Sequence, residues 1–294
     1  MPSVATQGAQ IWFEERGQGP LVLLVHGGLF DPLHGARFWS VPGVLDDLVA
    51  AGYRVLTPDR RYSTGRTTSD FGAHTWDIEA VDLTAVLSAA GGTAAHVVAG
   101  SNGCSAAIRL ALTRPELLRS LTLCWPAAPG NAALAAQFTR SATYIEGAGP
   151  AAYLAGLRAH GLPRPGDARP GFPFGAALLH DVRLAASFEA QPAAQVARSV
   201  RATAAALLPG DALRGVWRAD AAQLVACGLP LMIVPTEPED LHHTRAAAQA
   251  LIAVLPGARV AAGTPVAPSP SFAKERSVFA ASMRLALHAV DTRD

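Results

Sequence analysis

Two kinds of apolar pattern alternate along the chain. Short uninterrupted runs such as Leu21-Val22-Leu23-Leu24-Val25 read as strands covered on both faces. Longer stretches, in which apolar residues such as Ile78, Val81 and Leu87 recur at helical spacing, read as helices. In order, the pattern predicts a strand at 10–14, a turn at 17–20, a strand at 21–25 and an irregular loop over 29–42. A helix over 44–51 closed by Gly52, a strand at 53–57, a loop over 62–72 and a helix over 76–90 ended by Gly91-Gly92 follow. Another β-branched run, Val97-Val98, passes through a turn into helix formers, and residues 120–125 form a further buried strand. From 126 to about 227 the rhythm stops: the chain is alanine-rich and helical in character, with a proline–glycine segment at 162–173. It resumes with a strand at 229–234, a helix over 245–255, a short strand at 259–262 and a last helix over 277–289. Strands alternating with helices of this length predict an α/β fold with a mostly parallel, doubly wound sheet. Its core is expected in 1–125 and 229–294, with 126–228 inserted as a helical cap.

The chemistry concentrates at Ala99-Gly100-Ser101-Asn102-Gly103, where a strand turns sharply into a helix with Ser101 at the apex. Small neighbours are what such a turn requires, and Ala99 and Gly103 are expected to face each other where larger side chains would collide. Cys104 is expected to pack beneath the turn.

Composition narrows the function classes. The 294 residues are 50% hydrophobic and 16% charged, with a net charge of +1. There is no basic stripe and no acidic tail, so neither nucleic acid nor an anionic membrane is expected as a partner. The only lysine is Lys274, and with the abundant alanine this suggests a GC-rich bacterial genome. Three widely spaced cysteines, Cys104, Cys124 and Cys227, suit neither a disulfide framework nor a zinc site. Residues 1–10 lack the charged and apolar regions of a signal peptide, and no apolar run is long enough to span a membrane, so a cytoplasmic protein is expected. With no phosphate loop, metal-ligand cluster or dinucleotide fingerprint, the expected chemistry uses no cofactor and no metal and acts on a small organic molecule. The composition suits a monomer or a homodimer.

His26-Gly27-Gly28 after a strand, Pro58-Asp59-Arg60-Arg61 with Gly65, and the turn at Ser101 come in the order and spacing of the α/β-hydrolase superfamily, which the chain resembles from about residue 10 to 289. The resemblance implies Ser101 as nucleophile. It implies an oxyanion hole from the backbone of Asn102 and of Gly28 or Leu29, with Arg61 as a structural anchor and His26 bracing its loop. The family's base follows the last strand, but here that turn reads Ala262-Gly263-Thr264-Pro265, and no histidine lies between Thr244 and Leu287. The family's acid position falls at Pro238, between Glu237 and Glu239. His242 and His243, in the same loop, are the first candidates for a relocated base, and His34, three residues after Asp31, is the second. His96, at the far end of the elbow strand, is expected to be structural. Asp31, His34, Trp39, Tyr62 and Trp125 are expected against substrate.

Three functions fit these residues. One is hydrolysis of a small ester, lactone or related acyl compound through Ser101 with an atypical base. Another is a lyase or cyclase reaction on the same scaffold, and the third is ligand binding by a chain whose triad has decayed.

Overall fold

The computed structural model describes residues 2–27, 35–40, 42–61, 66–70, 75–127, 132–163, 167–170, 175–206, 218–239, 243–264 and 272–291. Its strands are β1 (Ser3–Thr6), β2 (Ala9–Arg16), β3 (Leu21–Val25), β4 (Arg54–Pro58), β5 (Thr68–Ser69), β6 (Ala95–Gly100), β7 (Leu118–Cys124), β8 (Leu231–Val234) and β9 (Arg259–Val260). They form one sheet in the order β1-β2-β4-β3-β6-β7-β8-β9, with β5 beside β2. From β4 to β9 along that order every pairing is parallel, while β1, β2 and β5 add an antiparallel edge. The helices are α1 (Gly35–Ser40), α2 (Val44–Ala50), α3 (Trp76–Ala89), α4 (Gly103–Thr113), α5 (Ala132–Ala148), α6 (Pro150–His160), α7 (Gly175–His180), α8 (Val182–Glu189), α9 (Ala193–Ala206), α10 (Arg218–Ala226), α11 (Arg245–Val254) and α12 (Phe272–Asp291).

The run Leu21–Val25 shows why the sheet is doubly wound. All five residues are buried. Because side chains alternate faces along a strand, Leu21, Leu23 and Val25 pack with Leu83 and Val86 of α3, Ile108 of α4 and Leu251 of α11. Val22 and Leu24 pack on the other face with Leu45 of α2 and with Phe279 and Met283 of α12. A strand apolar at every position can satisfy both layers only in the middle of a sheet.

The helical stretch after β7 divides between two cores. Helices α5 to α9 share their own cluster, which includes Phe138, Ile145, Tyr153, Leu157, Phe188 and Val200. Ala221 and Leu224 of α10 instead join the sheet core.

Three small elements differ from the sequence expectation. β1 was not predicted: its four residues alternate between exposed and half-buried, leaving no buried apolar stripe to read. α1 and β5 fall in stretches expected as loops, and six and two residues are too few for a periodic signal. The last helix begins at Phe272, ahead of the expected 277.

The loop after β4 is fixed by a buried ion pair. Arg61, fully buried, donates to Asp82 of α3, with Nη2 2.9 Å from Oδ1, and also to the Gln7 carbonyl between β1 and β2. Burial pushes the Asp82 carboxyl above its ordinary value and Arg61 pulls against that rise. Arg61→Met would strand the carboxylate, so it is expected to cost about 3–5 kcal/mol in urea unfolding. The double change Arg61→Met/Asp82→Leu should recover most of that loss.

Candidate active site

β6 runs straight into α4, and the residue between them that carries the turn is strained. Ser101 has φ +54°, a left-handed conformation that costs a non-glycine residue on the order of 1–2 kcal/mol. The surroundings hold it there. Its N–H donates to the Cys124 carbonyl at 2.9 Å, continuing the β6–β7 pairing, and its carbonyl accepts from Cys104 N–H at 3.1 Å.

The small residues around the turn answer to a different neighbour than the sequence suggests. A Cβ on Gly103 would lie 2.5 Å from the His26 carbonyl oxygen and 2.9 Å from that of Val25, so Gly103 faces the end of β3 rather than Ala99. A Cβ on Gly27 would lie 2.5 Å from Ser101 Cβ. Both glycines are needed because the loop after β3 presses directly onto the elbow. Ala99 is fully buried, and its carbonyl accepts a weak bond from Cys104 Sγ, which does lie beneath the turn.

Behind the elbow sits a buried polar cluster. Arg60 donates through Nη1 to Asn102 Oδ1 and to the His26 carbonyl, each at 2.8 Å, and through Nε to Glu79 at 2.7 Å. His26 Nε2 accepts the Arg60 backbone N–H at 2.9 Å while Nδ1 donates to the Gly27 carbonyl. The His26 ring therefore spends both nitrogens on the loop. Arg60 was not singled out from sequence; a charged residue beside the family-like Arg61 gives no hint that it turns inward.

The decisive contact comes from the far side of the sheet. His243 Nε2 lies 2.8 Å from Ser101 Oγ, across 142 residues of sequence. His243 is 8% exposed and directly precedes Thr244, whose side chain caps α11 by accepting from Ala247 N–H at 3.2 Å. With the imidazole proton on Nδ1, the serine hydroxyl donates to Nε2, the arrangement in which a histidine can take up the serine proton. This histidine is on the loop after β8, not on the turn after β9.

That turn has a structural use instead. Trp125 leaves β7 with φ +49°, its N–H on the Val234 carbonyl at 2.8 Å and its indole N–H on Thr264 Oγ1 at 2.8 Å. Thr264 in turn pairs with Thr236: its N–H reaches the Pro235 carbonyl, and its own carbonyl accepts from Glu237 N–H. The residues after β8 and after β9 are thus zipped together, and a Cβ on Gly263 would meet Glu237 Cβ at 2.7 Å.

The remaining candidates separate into three groups. Glu237 and Glu239, offered by sequence as the acid, turn towards α11: Glu237 pairs with the Arg245 guanidinium at 3.1 Å and Glu239 accepts the Arg245 N–H at 2.8 Å. An arginine that follows both in sequence offers a charge and a backbone donor at the start of α11, and both carboxylates stay in solvent to use them. Trp39 and Trp125, expected against substrate, have no exposed surface and stack on each other with ring centres 6.2 Å apart. Large aromatic faces on the α12 side of the sheet are consumed by packing. Gly28, Leu29, Asp31, His34, Tyr62 and His242 lie outside the described residues.

Ser101 thus sits on a strained strand-to-helix turn at the carboxyl ends of parallel strands, in hydrogen-bond contact with His243. The chain belongs to the alpha/beta hydrolase family, whose model matches residues 22–274. Among relatives by sequence, it is 32% identical over 154 residues to RutD of Azorhizobium caulinodans, a protein named as a carbamate hydrolase, covering 52% of this chain and 55% of that one. It is 39% identical over 119 residues to the rhodomycin D methylesterase DauP of a Streptomyces species, covering 38% of each. The matches therefore span about half or less of the curated relatives' length. Among solved structures, an esterase from Thermogutta terrifontis has a TM-score of 0.61 at 20% identity, covering 98% of this chain and 97% of its own. The enol-lactonase of Burkholderia xenovorans has a TM-score of 0.61 at 18% identity over 98% and 100%. These likenesses establish a shared fold.

One chemical consequence concerns the thiols around the elbow. Burial pushes those of Cys104 and Cys124 well above their ordinary value, whereas Cys227 is half-buried. A thiol held protonated does not attack a disulfide reagent. Ellman's reagent at pH 8 should therefore titrate one fast equivalent, removed by Cys227→Ser, and the other two only after unfolding.

Proposed function

We propose that the protein hydrolyses a small ester, lactone or related acyl compound, with Ser101 as nucleophile and His243 as general base. The observation that carries this reading is the 2.8 Å contact between Ser101 Oγ and His243 Nε2. Membership of a hydrolase family supports it, as do relatives and neighbours named for carbamate, methyl ester and enol-lactone hydrolysis.

In this mechanism Ser101 Oγ attacks the acyl carbon while His243 Nε2 takes its proton. The oxyanion of the tetrahedral intermediate is held by the N–H of Asn102, the N-cap residue of α4, and by the loop that contains Gly28 and Leu29. Collapse breaks the bond to the alcohol, which leaves with the proton from His243. A water, deprotonated by the same nitrogen, then releases the acid and restores Ser101. Arg60 keeps the Asn102 side chain in place, so the donor behind it does not swing away. Glu237 and Glu239 serve the base at one remove, tying the start of α11 through Arg245 and closing the loop that delivers His243. Helices α5 to α9, with a core of their own, form the cap over the acyl group, and no cofactor enters the reaction.

Intact mass after treatment with a fluorophosphonate tests the reading. Wild type should gain one adduct and Ser101→Ala none, and His243→Ala should slow labelling and p-nitrophenyl acetate hydrolysis by about 10³-fold or more. Glu237→Gln should cost less than about tenfold, since its partner is an exposed arginine. Unchanged labelling in His243→Ala would overturn the assignment of the base, and an adduct that survives Ser101→Ala would overturn that of the nucleophile.

A further inference from the structure

The opposite end of the sheet holds a second serine–histidine–aspartate chain. Ser120 Oγ lies 2.7 Å from His96 Nδ1, and His96 Nε2 lies 3.0 Å from Asp291 Oδ1. Asp291 also accepts from Arg119 at 3.0 Å and from the Tyr53 hydroxyl at 3.1 Å. Burial and this carboxylate push the Tyr53 phenol up to about 12, so it remains a donor. In β6 and β7 His96 is level with Ser120 and Gly100 with Cys124, so the cluster lies four residues, roughly 13 Å, below the elbow.

Ser120 also lines a cleft of about 200 Å³ between the last turns of α12 and the β7–β8–β9 edge. Ser120 and Thr122 on β7, Met232 on β8 and Arg259 on β9 share the α12-facing side: Thr122 is level with Met232, and Met232 with Arg259. The walls are apolar, from Met232, Leu287 and Val290 among others. Three polar groups interrupt them. Thr122 is 2% exposed and lines the cleft. Ser120 has committed its proton: Asp291 takes the Nε2–H of His96, so Nδ1 accepts the Ser120 O–H, and only the serine lone pairs remain to face the cleft. Arg259 stands on the exposed edge strand and forms no ion pair with the described residues.

We propose that this cleft is a second small-molecule site, for a short aliphatic carboxylate that carries a hydroxyl. The carboxylate pairs with Arg259 and the hydroxyl donates to Ser120 while accepting from Thr122, with the carbon chain lying on Leu287 and Val290. A cleft of about 200 Å³ suits a body of a few carbons. His96 and Asp291 act here by fixing which way Ser120 points. The proposal stands apart from the reading of Ser101.

Methyl-labelled full-length protein titrated with 3-hydroxybutyrate tests it. Saturable shifts are expected at Met232, Leu287 and Val290, with a Kd on the order of millimolar. Arg259→Ala, a change on the exposed edge that does not threaten folding, should weaken binding about tenfold or more. Thr122→Val, close in shape, should weaken it about fivefold, as should replacing the probe by butyrate. A protein already carrying the fluorophosphonate on Ser101 should bind equally well. No saturable shift at these methyls would overturn the site, as would binding that Arg259→Ala and Thr122→Val leave unaltered.

Discussion

The site rests on how closely the loop after β3 approaches the elbow. With 2.5 Å between an added Cβ on Gly27 and Ser101 Cβ, and 2.5 Å between one on Gly103 and the His26 carbonyl, two backbones meet where side chains have no room. That approach holds Ser101 in a left-handed conformation it would not choose and presents the hydroxyl outward. It also explains the charge buried behind the turn. A loop pressed onto a strand end exposes carbonyls that need donors, and Arg60 supplies them to His26 while reaching Asn102 and Glu79.

The histidine opposite the serine comes from a different edge of the scaffold than the family resemblance implies. On the loop after β8, Glu237 and Glu239 are given over to Arg245. The turn after β9 keeps its glycine for an independent reason, the crossing of Glu237, and keeps its place through Thr264 and the Trp125 indole. A retained glycine and an absent histidine at one turn are thus consistent once packing and chemistry are counted separately.

Much of this was legible from the chain alone. A run such as Leu21–Val25 admits only a central strand, and the small residues around Ser101 admit only a sharp turn, because sterics act locally. Other features depend on distant closure. Choosing His243 over its neighbours required knowing how the residues after β8 zip to Thr264 and re-enter at α11, which no periodicity encodes. Trp39 and Trp125 looked like pocket residues because an aromatic in a loop carries no mark of which layer it will fill. Ser120, His96 and Asp291 are 24 and 195 residues apart in pairs, and only the sheet register with the terminal helix makes them neighbours.

The 2.8 Å contact between Ser101 and a histidine after β8 bears on what holds the end of the chain in place. Thr264, after β9, holds Thr236 and the Trp125 indole, and α12 packs its apolar face on the sheet. In an ordinary member of such a fold, variation near the last strand is constrained by a proton-transfer distance. Here the turn after β9 carries no histidine, and its Gly263 and Thr264 answer to packing against Glu237 and Trp125. A substitution there is felt first through how the strands after β7 are held together.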